Sequence, residues 1–365
     1  MECPEGHLLE DTQVKLLTVI GARPQFIKAA VVSRALAVHH PKVREVLVHT
    51  GQHYDANMSD VFFDELDIPK PDHHLGVGGG SHGRNTGRML EALDDLMARE
   101  RPDWVLVYGD TDSTLAGALA AAKLHIPVAH IEAGLRSFNR RMPEEINRVL
   151  TDHVADLLFA PTEVARSNLR DEGIPEAKIH VVGDVMYDAA LYYKGRARKP
   201  QWFDALGVES FALCTIHRAE NTDDPLRLRG ILDGLARAGT AIVLPLHPRT
   251  RKQMAEFGLD LPRNVLVVDP VGYLEMVWLE TNCRVVITDS GGVQKEAYFH
   301  GKPCVTLRDE TEWVELVEEG ANVLVGADAD RIAATVSRAT NKREENVGLY
   351  GDGDSARGIL GKLLE

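Results

Sequence analysis

The stretch Trp104-Val105-Leu106-Val107-Tyr108-Gly109-Asp110-Thr111-Asp112-Ser113-Thr114 decides the fold class. Five apolar residues, too short for a buried helix, end in a glycine and an acid, and small polar residues then open an amphipathic segment. This is a strand handing over to a helix, and it places Asp110 at the carboxyl edge of a sheet, where open α/β sheets bind ligands. The pattern repeats at Val128-Ala129-His130-Ile131-Glu132-Ala133-Gly134, which puts Glu132 on the same edge. A third acid, Glu144, follows Pro143 in Met142-Pro143-Glu144-Glu145, the first turn of a further helix. An acid at a helix start is often only a cap or a dipole partner, a reading open for Asp110 and for one of Glu144 and Glu145. Three such acids within thirty-five residues are harder to dismiss as caps.

Outward from this stretch, β-branched runs alternate with amphipathic segments, the signature of a doubly wound α/β protein. Val14–Ile20, Val43–Thr50, Asp103–Gly109, Pro127–Ile131, Leu157–Pro161 and Lys178–Val182 are the strands of a first half, with a helix, a strand and a helix after Thr50. Residues 184–202 carry Gly195, Pro200 and the cations Lys194, Arg196, Arg198 and Lys199, and read as a connector. A second series follows: Phe211–Ile216, Ala241–Pro245, Val265–Val268, Arg284–Thr288 and Pro303–Leu307. The expected organisation is two Rossmann-like doubly wound domains facing a cleft. The first, 14–190, carries the acids; the second is 191–350; and 351–365 is a helix crossing back to the first. Residues 1–13 read as a loose extension.

Bulk composition narrows the function. Over 365 residues, 41 basic and 55 acidic side chains leave a formal net charge of −14, which disfavours nucleic acid or an anionic membrane as the main partner. No apolar run approaches the roughly 18–20 residues that span a bilayer, and the N-terminus lacks an apolar signal core, so a cytoplasmic protein is expected. Cys3, Cys214, Cys283 and Cys304 are scattered without CxxC spacing and read as reduced core thiols. Adjacent histidines such as His39-His40 and His73-His74 lack partners at metal-site spacing, so neither metal nor cofactor is assigned.

The second half supplies an anion site. Asp289-Ser290-Gly291-Gly292-Val293-Gln294-Lys295-Glu296 follows a strand and opens a helix, where small residues let backbone N–H groups approach a diphosphate. Glu296, about a turn and a half further in, is placed for ribose hydroxyls; the bland reading is a tight turn with a helix cap. It is neither GxGxxG nor GxxxxGK[ST], which argues against a nicotinamide cofactor and a P-loop. His217 in Thr215-Ile216-His217-Arg218 can assist a departing phosphate, and His247 in Pro245-Leu246-His247-Pro248 sits similarly. Arg23 and Lys28 bracket the first helix and can add cations to the same anion. Gly78–Gly83 reads as a mobile loop over the cleft or as a plain connection.

Taken in order, GARPQFIK, TGQHYD, VYGDTDSTLAG, HIEAGLRS, MPEEINR, TIHRAEN, PLHPRT, DPVGYLEMVWL, TDSGGVQKEA and GKPCVTLRDETEW resemble the non-hydrolysing UDP-N-acetylglucosamine 2-epimerases from about Lys15 to the C-terminus. The resemblance implies a glycosyltransferase-B architecture, a UDP-sugar substrate and a cytoplasmic homodimer. It implies interconversion of UDP-N-acetylglucosamine and UDP-N-acetylmannosamine, feeding cell-envelope polysaccharides, by elimination and re-addition of UDP through a glycal. On that likeness Asp110, Glu132, Glu144 and His217 are catalytic. Arg23, Lys28, Arg148, His247, Tyr273, Ser290, Gly291, Gly292 and Glu296 bind substrate.

Two departures bear on substrate and regulation. Many bacterial members bind a second substrate molecule as activator near the segment here written Gln52-His53-Tyr54-Asp55, with an Arg corresponding to Arg88; Asp55 replaces the amide expected there, which argues against allostery. Ser137–Met142 resembles a branch acting on UDP-2,3-diacetamido-2,3-dideoxyglucuronic acid, whose carboxylate Arg140 or Arg141 could bind, a surface charge being the favoured alternative. The rival functions are a UDP-sugar glycosyltransferase, a hydrolysing epimerase and a non-catalytic nucleotide-sugar sensor.

Overall fold

The computed structural model describes residues 13–51, 63, 66–67, 70–339 and 348–365. The chain divides into two compact units, one of residues 1–134, 139–182 and 356–365, the other of 135–138 and 183–355.

The first unit holds a seven-stranded parallel sheet. Its strands are β1 (Lys15–Ile20), β2 (Arg44–His49), β3 (His73–His74), β4 (Trp104–Tyr108), β5 (Val128–Ile131), β6 (Leu157–Ala160) and β7 (Ile179–Val181). Their order is β3-β2-β1-β4-β5-β6-β7. β1 pairs with both β2 and β4, so the winding reverses between β1 and β4, and the backbone diverges there to leave a crevice at the carboxyl ends. The central strands are buried on both faces, as a sheet covered by crossover helices requires, so they read as continuous apolar runs.

The chain turns at the end of β1 are packed closely. A Cβ on Gly21 would lie 2.1 Å from Thr50 Oγ1 and 2.2 Å from Ser113 Oγ, so only glycine fits at the end of β1. The buried Gln25, in helix α1 (Arg23–His39), spans the gap. Its Oε1 accepts from the N–H groups of Gly21 and Ala22, and its Nε2 donates to the Tyr108 carbonyl at 2.9 Å.

The second unit repeats the plan with six parallel strands in the order β10-β9-β8-β11-β12-β13. They are β8 (Ala212–Thr215), β9 (Ile242–Pro245), β10 (Val265–Val268), β11 (Val285–Thr288), β12 (Cys304–Thr306) and β13 (Asn322–Leu324). The winding reverses between β8 and β11. Two apolar layers cover this sheet: Leu228, Ile231, Leu235 and Ile332 lie in one, Phe203, Phe211, Leu279 and Ala297 in the other. Cys214, Cys283 and Cys304 are buried and form no disulfide; burial pushes the thiols of Cys283 and Cys304 up to about 12, which leaves them inert.

Two local expectations fail. Residues 184–202 are not a loose connector: Asp184 caps a helix at Val185–Lys194 by accepting from the Met186 N–H, and Tyr193 within it is fully buried. Two of the four cations that suggested a linker lie over aromatic faces, Arg196 on Tyr192 and Lys199 near Phe203 and Trp278, so polarity there marks the edge of a packed layer. The glycine run also ends early, because His82 and Gly83 already belong to a helix at His82–Glu100. Among the described residues no helix is long and apolar enough to cross a membrane.

Candidate functional site

In the first unit the carboxyl ends of β4 and β5 present the two acids that the sequence singles out. Asp110 follows Gly109, whose φ of +62° turns the chain sharply out of β4. Its backbone carbonyl accepts from Asn147 Nδ2 at 2.9 Å, and its carboxylate meets Arg148 Nη2 at 2.8 Å. Arg148 is 3% exposed and also lies against Glu145 at 3.5 Å, with its Nε donating to the Glu144 carbonyl. Removal from water pushes the Asp110 carboxyl above the ordinary range; Arg148 and Lys28 pull it down, while Glu132 and Glu144 push it further up. Its side chain is still 31% exposed, so it is a reachable acid on a crowded rim. A carboxyl moved toward neutrality in that position suits proton transfer.

Glu132 ends β5 in a conformation that side chains avoid, φ +71°. The turn is over-determined: the N–H groups of Glu132 and Ala133 both donate to the Phe159 carbonyl at 3.1 Å. Its carboxylate is ion-paired with Lys28 Nζ, which reaches over from α1, and both side chains are less than a tenth exposed. A Cβ on Gly109 would lie 3.2 Å from each member of this pair, so the pair is packed against the turn that carries Asp110. Asp110, Glu132, Lys28 and Arg148 therefore form one cluster, with Glu144 in the first turn of the helix Pro143–Val154 close enough to influence the Asp110 charge. Of the neighbouring acids Glu145 is the buried one and Glu144 the more accessible. α1 begins at Arg23, whose side chain lies outside the described residues, as does the segment Gln52–Asp55. Arg88 lies in the helix His82–Glu100.

Sequence reading missed two supports of this cluster. His130, in β5, lies with Nδ1 2.7 Å from Asp152 Oδ1 and donates from Nε2 to the Gly109 carbonyl at 2.7 Å. Asp112 receives His82 Nδ1 at 3.1 Å and Asn147 Nδ2 at 3.3 Å. No spacing rule links residues 22 or 30 apart on different elements.

The corresponding edge of the second unit gathers His217, His247, Ser290, Gly291 and Gly292. Asp289, fully buried at the end of β11, accepts from the N–H groups of His217 and Arg218 and from Asn221 Nδ2, all at 3.1–3.2 Å, and meets the His217 ring at 3.2 Å. Burial alone would raise its carboxyl, but these donors and the His217 ring hold it below the usual range. The result is a His217 side chain 43% exposed on a fixed backbone. His247 caps the helix Pro248–Phe257 by accepting from the Arg249 N–H, with its ring centroid 6.2 Å from that of His217. Desolvation, then neighbouring His217 and Arg249, lowers the His247 pKa.

Ser290 caps the helix Gly291–Phe299, so the N–H groups of Gly291 and Gly292 precede its first internal hydrogen bond and point outward. Beside them stand Arg308, 1% exposed and 2.9 Å from Glu312, and Arg218, 4.0 Å from the same carboxylate. Deeper in, Tyr273 donates from its hydroxyl to Glu296 at 3.2 Å, and burial, followed by the Glu296 charge, keeps that phenol protonated. A helix N-terminus, exposed imidazoles and arginines are the parts of an anion site.

A family model described as UDP-N-acetylglucosamine 2-epimerase matches residues 36–364. The chain is 57% identical over 358 residues to a UDP-2,3-diacetamido-2,3-dideoxy-D-glucuronate 2-epimerase of Pseudomonas aeruginosa, covering 96% of this chain and 100% of that protein. It is 44% identical to a UDP-N-acetylglucosamine 2-epimerase of Methanocaldococcus jannaschii, over 95% of this chain and 98% of that one. The crystal structure of an M. jannaschii UDP-GlcNAc 2-epimerase in complex with UDP-GlcNAc and UDP superposes with a TM-score of 0.89 at 45% identity, covering 96% and 99% of the two chains. The Neisseria meningitidis enzyme bound to UDP-GlcNAc gives 0.84 at 33% identity, covering 96% and 100%.

Proposed function

Because the chain belongs to the UDP-N-acetylglucosamine 2-epimerase family, we propose that it inverts carbon 2 of a UDP-linked 2-acetamido sugar without hydrolysing it. The observation that carries this reading is the Asp110–Arg148 and Glu132–Lys28 cluster at the crevice of the first sheet. Carbon 2 of such a sugar has no neighbouring carbonyl, so direct deprotonation is prohibitively slow; elimination avoids it. A base takes the carbon-2 proton, the electron pair forms the C1–C2 double bond, and the C1–O bond breaks as UDP departs with its electrons. UDP then re-adds at carbon 1 while an acid protonates carbon 2 from the opposite face.

Two faces require two proton-transfer groups, the roles proposed for Asp110 and Glu132. Glu144 stabilises the oxocarbenium-like charge. The helix N-terminus at Gly291-Gly292, His217 and His247 hold the diphosphate, whose escape would end the cycle at the glycal. Glu296 takes the ribose, with Tyr273 near the base. Lys28 and Arg148, expected at the UDP, lie against Glu132 and Asp110, which supports a further duty for them in setting the charge of the acids.

UDP-2,3-diacetamido-2,3-dideoxy-D-glucuronate is the favoured substrate. The 57% identity to the enzyme named for it, against 44% to one named for UDP-N-acetylglucosamine, supports this choice. Arg140 and Arg141, both exposed, are the cations proposed to bind that sugar's carboxylate. UDP-N-acetylglucosamine is the second reading. A cytoplasmic homodimer completes the proposal. Turnover of the two UDP-sugars measured side by side tests it: a kcat/KM at least tenfold higher for the glucuronate is expected, and faster turnover of UDP-N-acetylglucosamine would reverse the choice.

A further inference from the structure

His130 and Asp152 are both fully buried, and neither reaches the rim where Asp110 is exposed. A buried polar pair of this kind is commonly no more stable than apolar residues of similar volume, so its presence in β5 calls for another reason. Its connections supply one. His130 Nε2 donates to the Gly109 carbonyl, the residue before Asp110, at 2.7 Å. Asp152 Oδ1 holds the other ring nitrogen at 2.7 Å, while its Oδ2 accepts from the N–H of Gly134, two residues beyond Glu132, at 3.1 Å.

The three backbone positions that frame the acids all have positive φ: Gly109 at +62°, Glu132 at +71° and Gly134 at +83°. Such conformations persist only where the surroundings over-determine them. Gly134 has no alternative, because a Cβ there would lie 2.4 Å from the Ala165 carbonyl oxygen. The imidazole and carboxylate thus join the turn that carries one acid to the turn that carries the other.

We propose that His130, held by Asp152, is a positioning residue for the carbon-2 epimerisation: it sets the separation of Asp110 and Glu132 by tying the Gly109 carbonyl to the Gly134 turn. The proposal rests on the acid/base reading given above. It predicts a loss confined to the chemical step, because the UDP-binding groups assigned to the second unit take no part in the tie. Misplacing a reacting group by about 1 Å costs on the order of a hundredfold in rate.

Three variants test it in the full-length chain. In His130→Gln the amide reaches Gly109 from the Nε2 position and abandons Asp152. In His130→Asn it keeps Asp152 from the Nδ1 position and abandons Gly109. Asp152→Asn keeps the shape but presents an amide either to the His130 ring or to the Gly134 N–H. Expected for those that fold, judged by circular dichroism and cooperative melting, is a kcat lowered about ten- to a hundredfold, with KM and UDP Kd within about threefold of the wild type. Wild-type kcat in the folded variants, a loss that appears mainly in KM, or failure of all three to fold would overturn the proposal in favour of a packing role. A wild type without turnover on either UDP-sugar would bring down the acid/base reading as well, which separates the two failures.

Discussion

Asp110 and Asp289 occupy matching places, each after the fourth strand of its own sheet and beside the point where the winding reverses, yet their environments drive them in opposite directions. Asp289 is fully buried and is nonetheless held in its charged form, because two backbone N–H groups, an amide and an imidazole face it. Asp110 is 31% exposed and is pushed toward its neutral form, because removal from water and two other acids outweigh the pull of Arg148 and Lys28. The number of donors, not the depth of burial, separates an acid that anchors a loop from one that can exchange a proton.

The largest expected effect that would break this contrast is catalytic. Asp110→Asn should lower kcat by about 10²- to 10⁴-fold, the usual range for a general acid or base, while calorimetric UDP affinity stays near wild type. Asp289→Ala should do the reverse in character. It strips buried N–H groups of their acceptor, and a loss of about 3 kcal/mol in urea unfolding is expected, together with weakened UDP binding as His217 loses its support. Unchanged stability in that variant would show that the donors around Asp289 do not hold the loop.

A smaller effect is expected at the turn before Asp110. Gly109→Ala places a side chain at φ +62° and 3.2 Å from the Lys28–Glu132 pair; the conformational part alone costs roughly 1–2 kcal/mol, and activity should fall further than stability. Smallest is the pH dependence. The raised Asp110 pKa means that its contribution to stability is lost as pH climbs from the unfolded value near about 4 through the folded one. The melting temperature of Asp110→Asn should therefore gain on the wild type as pH rises from about 4 through the higher folded-state value. The lowered Asp289 pKa acts oppositely: its stabilisation is complete above about pH 4 and is lost as pH falls through the folded value. Asp289→Asn should thus lose ground against the wild type as pH rises through that lower window. Parallel slopes for the two variants would contradict the contrast.

The sheet was legible because apolar, β-branched runs such as Trp104–Tyr108 and Val128–Ile131 are short and end in glycine or an acid, and buried parallel strands leave that trace. Lys28 was visible as a cation near a helix start, but its partner Glu132 lies 104 residues away, and no local period encodes such a meeting. The same limit hid Gln25 across the crevice and His130 beneath it. At Val185–Lys194 composition misled, because cations at the edge of an aromatic layer resemble those of a linker. Local pattern alone treats Asp110 and Asp289 alike, since each follows a strand and precedes small polar residues; the resemblance singles out Asp110, and the donors brought in by folding give the physical difference.

The most direct measurement follows the carbon-2 hydrogen. Wild-type protein incubated with the UDP-sugar in heavy water, without any acceptor, should place deuterium at carbon 2 of both epimers, and Asp110→Asn should do so at least a hundredfold more slowly, the low end of about 10²–10⁴ for an acid or base. Epimer formation with protium retained, or undiminished exchange in Asp110→Asn, would contradict proton transfer by the acids of the first sheet.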